Sequence, residues 1–333
     1  MKRTKALAVF ADIVLVALII GGAVWLFVAG LPPATWTTDQ PMLPLSVDGS
    51  RILILLTAAG VVLGILLAAL LRRRPDRVVD GQAIRYGVYD RLVHWALAIG
   101  FVLAFATAAW LLRWLGLQTS PEVLPALYVI HFIGASLIVF AAAAFVTSSR
   151  VRGLDALFPR WRDVGPSIAR LFGYLGVYGQ SGALGMRWPK GWQPGTQRAL
   201  ARLGIRPLAR EGKFLAVEKV FSFTPLAILS LIVIGTGLIK AARYFFVVPP
   251  DVISWATWLH GLSTWGVLIV VGLHIAAIVL VRRNHPGIGA MVSGRIDLRV
   301  VEEEFPAWAD ELRRTEARPA ATGALPVPGR VGD

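Results

Sequence analysis

The chain contains no cysteine among its 333 residues. Disulfide bonds, iron–sulfur clusters held by this chain and thioether-linked haem are therefore excluded, since each of them requires a cysteine sulfur. Any redox centre would have to be held by histidine or methionine, of which the chain has five and four.

Charged residues are scarce as well. They make up 16% of the chain, against about a quarter in a soluble domain, while 56% of the residues are hydrophobic. These proportions predict a polytopic membrane protein. The net charge of +14 is then expected to reflect membrane topology rather than a nucleic-acid partner.

Long apolar runs predict an all-α membrane protein. A helix needs roughly 20 apolar residues to cross a bilayer. The first run follows MKRTK and is longer than a signal-peptide core of about 7–15 residues, so we interpret it as an uncleaved anchor. The last four runs predict a four-helix bundle, to which two N-terminal transmembrane helices are added. The six predicted spans are 6–30, 52–71, 91–114, 124–147, 222–242 and 254–281.

Lysine and arginine set the expected orientation. The loops on the side of both termini carry RRRPDR at 72–77 and thirteen Lys or Arg across 148–221, whereas the opposite loops carry Arg51 alone. Both termini are therefore predicted to be cytoplasmic, in a bacterial inner membrane. Lys240 and Arg243 are exceptions, because they lie at the other end of the fifth span.

The spans suggest three sections of chain. A two-span extension occupies 1–84, a four-helix core with the cytoplasmic loop 148–221 occupies 85–285, and a cytoplasmic segment with a disordered tail occupies 286–333. No strong internal repeat is evident. The sequence has no Ser-His-Asp pattern, phosphate loop or paired carboxylates, so its own side chains are not expected to catalyse a reaction on a substrate.

Four of the five histidines lie inside predicted spans: His94, His131, His260 and His274. Ionisable side chains in a span are uncommon and usually face the bundle interior. His260 and His274 are fourteen residues apart, which corresponds to about 21 Å and about four turns of helix. They are therefore expected on one face, one in each half of a hydrocarbon core about 30 Å thick.

The directions of the spans allow only one pairing by depth. His94 and His274 form an inner pair near the cytoplasmic face, and His131 and His260 form an outer pair. The outer pair matches well in depth, whereas His274 lies deeper than His94. Two neutral imidazoles from two helices at one depth can be the axial ligands of a six-coordinate haem. We therefore predict two haem b groups, with His94 and His274 on the inner iron and His131 and His260 on the outer iron.

Simpler interpretations exist for the single residues. One intramembrane histidine can serve as an interhelical hydrogen-bonding group. Zinc is a poor alternative to haem, since structural zinc usually takes four clustered ligands and these histidines are split between two levels. Gly134, Gly261 and Gly272, near the histidines, either admit a flat ring or permit close helix packing. Arg91, one turn before His94, either pairs with a propionate of the inner haem or is an ordinary cytoplasmic anchor.

Several segments resemble a known family. RYGVYDRLVHWALAIGF at 85–101, HFIGASLIVF at 131–140 and WLHGLSTWGVLIVVGLHIAAIVL at 258–280 are similar to core helices of the cytochrome b (gamma) subunit of respiratory formate dehydrogenases. This subunit belongs to a dihaem superfamily shared with the cytochrome b subunits of nickel–iron hydrogenases. PGIGAMVSGRIDLRVVEEEFPAW at 286–308 resembles the segment that follows in the formate dehydrogenase branch, and the likeness covers about 85–312.

The resemblance implies an electron-transfer subunit in which all four histidines are axial ligands. It would receive electrons from an iron–sulfur beta subunit, itself supplied by a molybdenum or tungsten catalytic alpha subunit that oxidises formate. It would reduce membrane quinone beside the inner haem, next to His274. The chain would not act on formate itself.

Two positions depart from the family pattern. KFLAVEK at 213–219 stands where the family has a Lys-Tyr-Asn-x-Gly-Gln-Lys segment of the quinone site. Glu218 and Lys219 therefore mark a candidate quinone region in which several side chains differ from those of the family. Glu218 is interpreted either as a proton carrier beside the quinone or as an interfacial carboxylate. Thr107-Ala108 stands where the family tends toward Thr-Gly, whereas Thr236-Gly237 keeps that pair.

Two alternatives to a formate dehydrogenase subunit stay open. The same scaffold serves hydrogenases and sulfur-compound reductases. A transporter or assembly anchor, from a different class, would use the histidines to relay protons or hold helices together.

Overall fold

The computed structural model describes residues 14, 16–21, 47–70, 76–111, 120, 122–152, 158–178, 182–208, 210–243 and 247–316. Most of the first predicted span and most of the predicted disordered tail lie outside these residues. In chain order the elements are α1 Val47–Leu70, β1 Val78–Val79, β2 Gln82–Ile84, α2 Val88–Leu111, α3 Leu124–Arg152, α4 Trp161–Tyr174, a 3₁₀ turn Ala183–Gly185, α5 Gln193–Arg202, α6 Ala216–Glu218, a π-helical turn Lys219–Phe223, α7 Thr224–Ala242, α8 Pro250–Leu280, a 3₁₀ turn Arg282–Asn284, α9 His285–Ser293, β3 Arg295–Asp297, α10 Leu298–Glu304 and α11 Pro306–Glu316.

Four helices of the described chain are long and apolar enough to cross a membrane, which confirms the predicted core spans. They are Val88–Leu111, Leu124–Ser148, Ala216–Ala242 and Pro250–Leu280. The second predicted span, 52–71, overlaps helix α1, and its part Leu55–Leu70 is apolar. The protein is thus an all-α, multi-pass membrane protein.

The four core helices form two antiparallel hairpins. Backbone approach is close within each hairpin, α2 with α3 and α7 with α8, and much sparser between the two. Helices α2 and α3 approach closely at Gly100 and Gly134, because a Cβ atom on either one would lie 2.8 Å from the carbonyl oxygen of the other. Of the two interpretations of Gly134, the structure therefore supports close helix packing.

Helix α1 docks on the core of its own chain. It packs along α3 through Gly60 and Gly64, where a Cβ on Gly60 would lie 2.6 Å from the carbonyl oxygen of Ser136 and one on Gly64 would clash with that of Phe140. Two glycines four residues apart are a frequent means of bringing membrane helices together. The second predicted span thus forms a fifth helix against the four-helix core.

A small folded cap lies at the end of the bundle that carries His94. Strands β1, β2 and β3 form an antiparallel sheet in which Gln82 pairs with Asp297 and Ile84 with Arg295. Gly294 turns the chain into β3 with φ 84°, and its carbonyl accepts the backbone N–H of Arg85 at 2.9 Å. The cap therefore joins the N-terminal extension to the C-terminal segment across the boundaries expected at 84 and 285.

Polar contacts hold the cap together beneath α6. Asp76 accepts hydrogen bonds from Lys213 Nζ at 2.7 Å and from the indole N–H of the fully buried Trp308 at 2.9 Å. The buried Arg85 donates to the Lys213 carbonyl at 3.1 Å. Lys213, which the family resemblance aligned with the quinone segment, is thereby engaged in the cap.

Candidate functional site

The four intramembrane histidines lie on three helices: His94 on α2, His131 on α3, and both His260 and His274 on α8. All four are half-buried. Electrostatic interaction links His94 with His274 and His260 with His131. These interactions join the same residues that the span directions pair, and the assignment of each pair to one iron stays a prediction.

Helix α2 starts earlier than the predicted span. It begins at Val88, three residues before that span, so that His94 lies six residues into the helix. His274 lies six residues before the end of α8 at Leu280. The two inner histidines are therefore equally far from the ends of their helices, and their relative depth in a membrane stays a prediction.

Each histidine of the outer pair has a threonine partner. His131 Nδ1 lies 3.0 Å from Thr107 Oγ1, and His260 Nδ1 lies 3.0 Å from Thr236 Oγ1. Lys240, near the end of α7, is within electrostatic reach of both outer histidines. The ammonium group of Lys240 at this position is suited to pair with a carboxylate of a bound molecule.

The inner pair is held less firmly. His274 Nδ1 lies 3.3 Å from Ser222 Oγ, and His94 Nδ1 is buried without a hydrogen-bond partner in the described part of the chain. Ser222 belongs to the π-helical turn Lys219–Phe223 that precedes α7. Such turns often occur at functional sites because they displace side chains from regular helical positions.

An apolar cluster separates the two levels of histidines. Phe101, Ile138 and Val267 form its buried centre, and side chains of α7 such as Val233 pack against it. All four core helices contribute. Packed apolar side chains from all four helices therefore lie between the two levels of histidines.

The two hairpins correspond position by position. Thr107 precedes His131 by 24 residues, and Thr236 precedes His260 by 24 residues. Phe145 follows His131 by fourteen residues, as His274 follows His260, and Phe223 precedes Thr236 by thirteen, as His94 precedes Thr107. The sequence thus contains a correspondence that was not evident from residue similarity.

The phenylalanines that stand in for the inner histidines contact each other. The rings of Phe145 and Phe223 have centroids 5.3 Å apart, and Phe158 packs on Phe223 at 5.9 Å. At the inner level, one pair of hairpin positions therefore presents two imidazoles, and the equivalent pair presents two phenylalanine rings in tilted contact.

The predicted quinone region borders the inner pair. Glu218 accepts the backbone N–H of Leu215 at 3.0 Å, lies 3.7 Å from Arg85, and keeps 40% of its side chain exposed. It is within electrostatic reach of His274. Lys219 begins the π-helical turn.

Two further titratable groups adjoin this region. The side chain of Glu211 is buried and accepts the backbone N–H of Ala216 at 3.2 Å, and burial raises its pKa. Burial also raises the pKa of Tyr86 to about 12. Sequence reasoning missed Glu211 because only contact with α6 distinguishes it from a loop carboxylate.

Arg91 contacts the cap rather than extending freely. Its Nη1 donates to the carbonyl of Val292 at 2.6 Å, while its Nε is buried without an acceptor among the described residues. The role predicted for Arg91 toward a propionate stays a prediction.

These residues fit haem. The imidazoles are arranged in pairs. Among the described residues, no cluster of three or more His, Asp or Glu side chains suits a bare metal ion. Open space adjoins Gly261 and Gly272, since a Cβ atom on either would have no neighbour within 4 Å. Gly237, in contrast, lies against the His260 ring, where a Cβ atom would be 3.3 Å from Cε1.

Paired imidazoles in an apolar four-helix bundle define a membrane electron-transfer protein of the cytochrome b type. The family model described as prokaryotic cytochrome b561 matches residues 85–294, which include all four core helices. The chain belongs to the prokaryotic cytochrome b561 family, and haem b is the cofactor of this family. Comparisons with curated proteins and with solved structures gave no significant match. Membership of an electron-transfer family sets aside the transporter and assembly-anchor alternatives.

Proposed function

We propose that the chain is the dihaem membrane subunit of a formate dehydrogenase. It carries electrons from an iron–sulfur subunit on the outer side to quinone on the inner side of a bacterial cytoplasmic membrane. The observation that supports this proposal is the presence of two histidine pairs at two depths. His260 and His274 on one helix are separated by about 21 Å along the axis, which places one redox site near each face.

Bound haem b would supply a one-electron carrier at each level. His131 and His260 would hold the outer group, and His94 and His274 the inner one. The apolar cluster around Phe101 and Val267 excludes water between the two levels. The protein thereby supplies ligands and insulation, as expected of a chain without catalytic motifs of its own.

The cap supports a quinone site beside the inner pair. Residues 286–308 resemble the formate dehydrogenase branch. They contact the segment that begins at Glu211, where the Ala307 N–H donates to the Glu211 carbonyl at 3.0 Å. The half-exposed Glu218 lies at the edge of this contact, within reach of His274. A quinone that is reduced here can take protons from the inner aqueous phase through Glu218.

Copurification tests the proposed partner. The tagged chain, purified in mild detergent from the cells that produce it, is expected to give a b-type spectrum with two haems per chain. It should bring with it an iron–sulfur subunit and a molybdenum or tungsten subunit that oxidises formate. Recovery of a nickel–iron enzyme or a sulfur-compound reductase would contradict the formate dehydrogenase partner but not the electron-transfer function of the chain. Absence of any b-type signal would contradict both the partner and the haem-dependent function.

The quinone region gives a second prediction. Replacing Glu218 by Gln is expected to lower quinone reduction by formate at least roughly tenfold, since positioned acid–base groups contribute about 10²–10⁴-fold. Haem content and haem reduction by dithionite should be unchanged. The control is Glu303→Gln, an exposed carboxylate on α10. Equal quinone reduction in the two variants would remove Glu218 from the proton path.

A further inference from the structure

Thr107 and Thr236 make the same contact in the two hairpins. Each is buried, each lies on the first helix of its hairpin, and each hydroxyl meets a histidine Nδ1 at 3.0 Å. The spacing from threonine to histidine is 24 residues in both cases. The inner level has no such matched arrangement.

The direction of these hydrogen bonds follows from the backbone. Thr107 Oγ1 donates its only proton toward the carbonyls of Leu103 at 2.7 Å and Ala104 at 3.0 Å. It can therefore only accept from His131, which places the imidazole proton on Nδ1. In a neutral imidazole the lone pair is then on Nε2, the nitrogen that can ligate a metal.

The second hairpin repeats this arrangement. Thr236 Oγ1 is directed at the carbonyls of Ile232 at 2.7 Å and Val233 at 3.2 Å, which leaves it as an acceptor toward His260. The rings also interact with the carbonyls of Ala104 and Val233, which can only accept hydrogen bonds. Both outer histidines are therefore fixed in the Nδ1–H tautomer.

We propose that Thr107 and Thr236 are positioning residues of the outer haem site. Each fixes the tautomer and the ring orientation of one axial ligand, so that both Nε2 lone pairs are available to one iron. The proposal rests on the proposed function to the extent that it takes haem as the ligand. The tautomer itself is a property of the protein alone.

The hydrogen bonds also tune the redox site. An imidazole that donates its second N–H is a more basic ligand, which favours the oxidised iron and lowers the midpoint potential. Both outer histidines have this bond at 3.0 Å, whereas the inner histidines have one longer contact, at 3.3 Å, and one nitrogen, that of His94, without a partner among the described residues. With haem bound, the two threonines would therefore lower the potential of the outer group selectively.

Redox titration of the purified complex tests the proposal. Thr107→Val and Thr236→Val preserve side-chain volume and remove the hydroxyl. Each is expected to raise the midpoint potential of the outer haem, to leave the inner one unchanged, and to weaken retention of the outer haem by roughly tenfold. Thr107→Ser and Thr236→Ser restore the hydroxyl and should restore the wild-type values.

Thr264→Val is the matched control. Its hydroxyl donates at 2.6 Å to the backbone carbonyl of His260 and makes no contact with the ring, so the outer potential should not change. An equal shift in Thr264→Val, or an unshifted outer potential in Thr107→Val and Thr236→Val, would overturn the proposal.

Nitrogen-15 NMR of histidine-labelled, haem-free protein separates this proposal from the proposed function. Signals assigned through single His→Gln variants should show His131 and His260 protonated at Nδ1, with loss of that preference in the Thr→Val variants. Protonation at Nε2 in the wild-type chain would overturn the proposal whether or not haem binds. A chain that binds no haem but keeps the Nδ1–H tautomer contradicts the proposed function only.

Discussion

Replacement of His94 or of His274 by Ala is expected to remove the same haem, and replacement of His131 or of His260 to remove the other. Electrostatic interaction already links the residues in these two combinations, and a bis-imidazole site is lost when either ligand is lost. Haem content per chain, measured as the pyridine haemochrome, should fall from two to one in each single variant. Redox titration should show which of the two components is missing.

Double variants make this prediction sharper. His94→Ala combined with His274→Ala should keep one haem, whereas His94→Ala combined with His131→Ala should keep none. His285→Ala is the control, since His285 is exposed outside the four core helices, with Nε2 3.0 Å from the carbonyl of Val279. Loss of a common component from the His94 and His131 variants would contradict the assignment of levels.

Replacement of Gly134 by Ala is expected to destabilise the first hairpin by about 1–3 kcal/mol, the usual cost of overpacking. The new methyl group would lie 2.8 Å from the carbonyl oxygen of Gly100 and 3.0 Å from the amide nitrogen of Ala104. These are backbone atoms, so α2 and α3 must separate. The separation would lengthen the hydrogen bond between Thr107 and His131.

Two readouts follow from the change at Gly134. The thermal unfolding midpoint in detergent should fall, and the outer haem should dissociate before the inner one on heating. Gly235→Ala is the matched control, because its position in α7 has no neighbouring atom within 4 Å and alanine is the better helix former. A Gly134→Ala variant as stable as Gly235→Ala would show that the two helices are free to separate.

Much of the fold could be predicted because membrane spans follow from apolar length alone. The four core spans were found within a few residues. The predicted helix bounds were less accurate where local hydrogen bonds, rather than apolar length, decide where a helix begins. Arg91 suggested a membrane boundary, yet α2 starts at Val88, where the Asp90 carboxylate accepts the Gly87 N–H at 3.0 Å.

The cap could not be predicted from the same pattern. Its sheet pairs residues 82–84 with 295–297. Segments so far apart in the sequence leave no local pattern from which their pairing could be predicted. Its core depends on Trp308, which is fully buried although it lies in a segment rich in charged residues. Likewise, the docking of α1 on α3 depends on Gly60 and Gly64 meeting a complementary surface, which a single helix does not reveal.

The candidate site was partly predictable for a similar reason. Histidine is conspicuous in an apolar run, so His94, His131, His260 and His274 stood out. Thr107 and Thr236 were noted only as parts of a family motif, without a role, since threonine and serine are common in membrane helices and usually bond to their own backbone. The distances to Nδ1 are what connect Thr107, Thr236 and Ser222 with the histidines.

The contact between Phe145 and Phe223 has a consequence for the route of charge. Two corresponding hairpins offer two equivalent pairs of positions at the inner level, one on α2 and α8 and one at α3 and the start of α7. Phenylalanine rings occupy the second pair, and α1 packs on α3 beside it. Among the described residues, the nearly symmetric scaffold therefore offers imidazoles at this level on one flank, that of His94 and His274, and we expect electrons to be delivered to an acceptor from that flank.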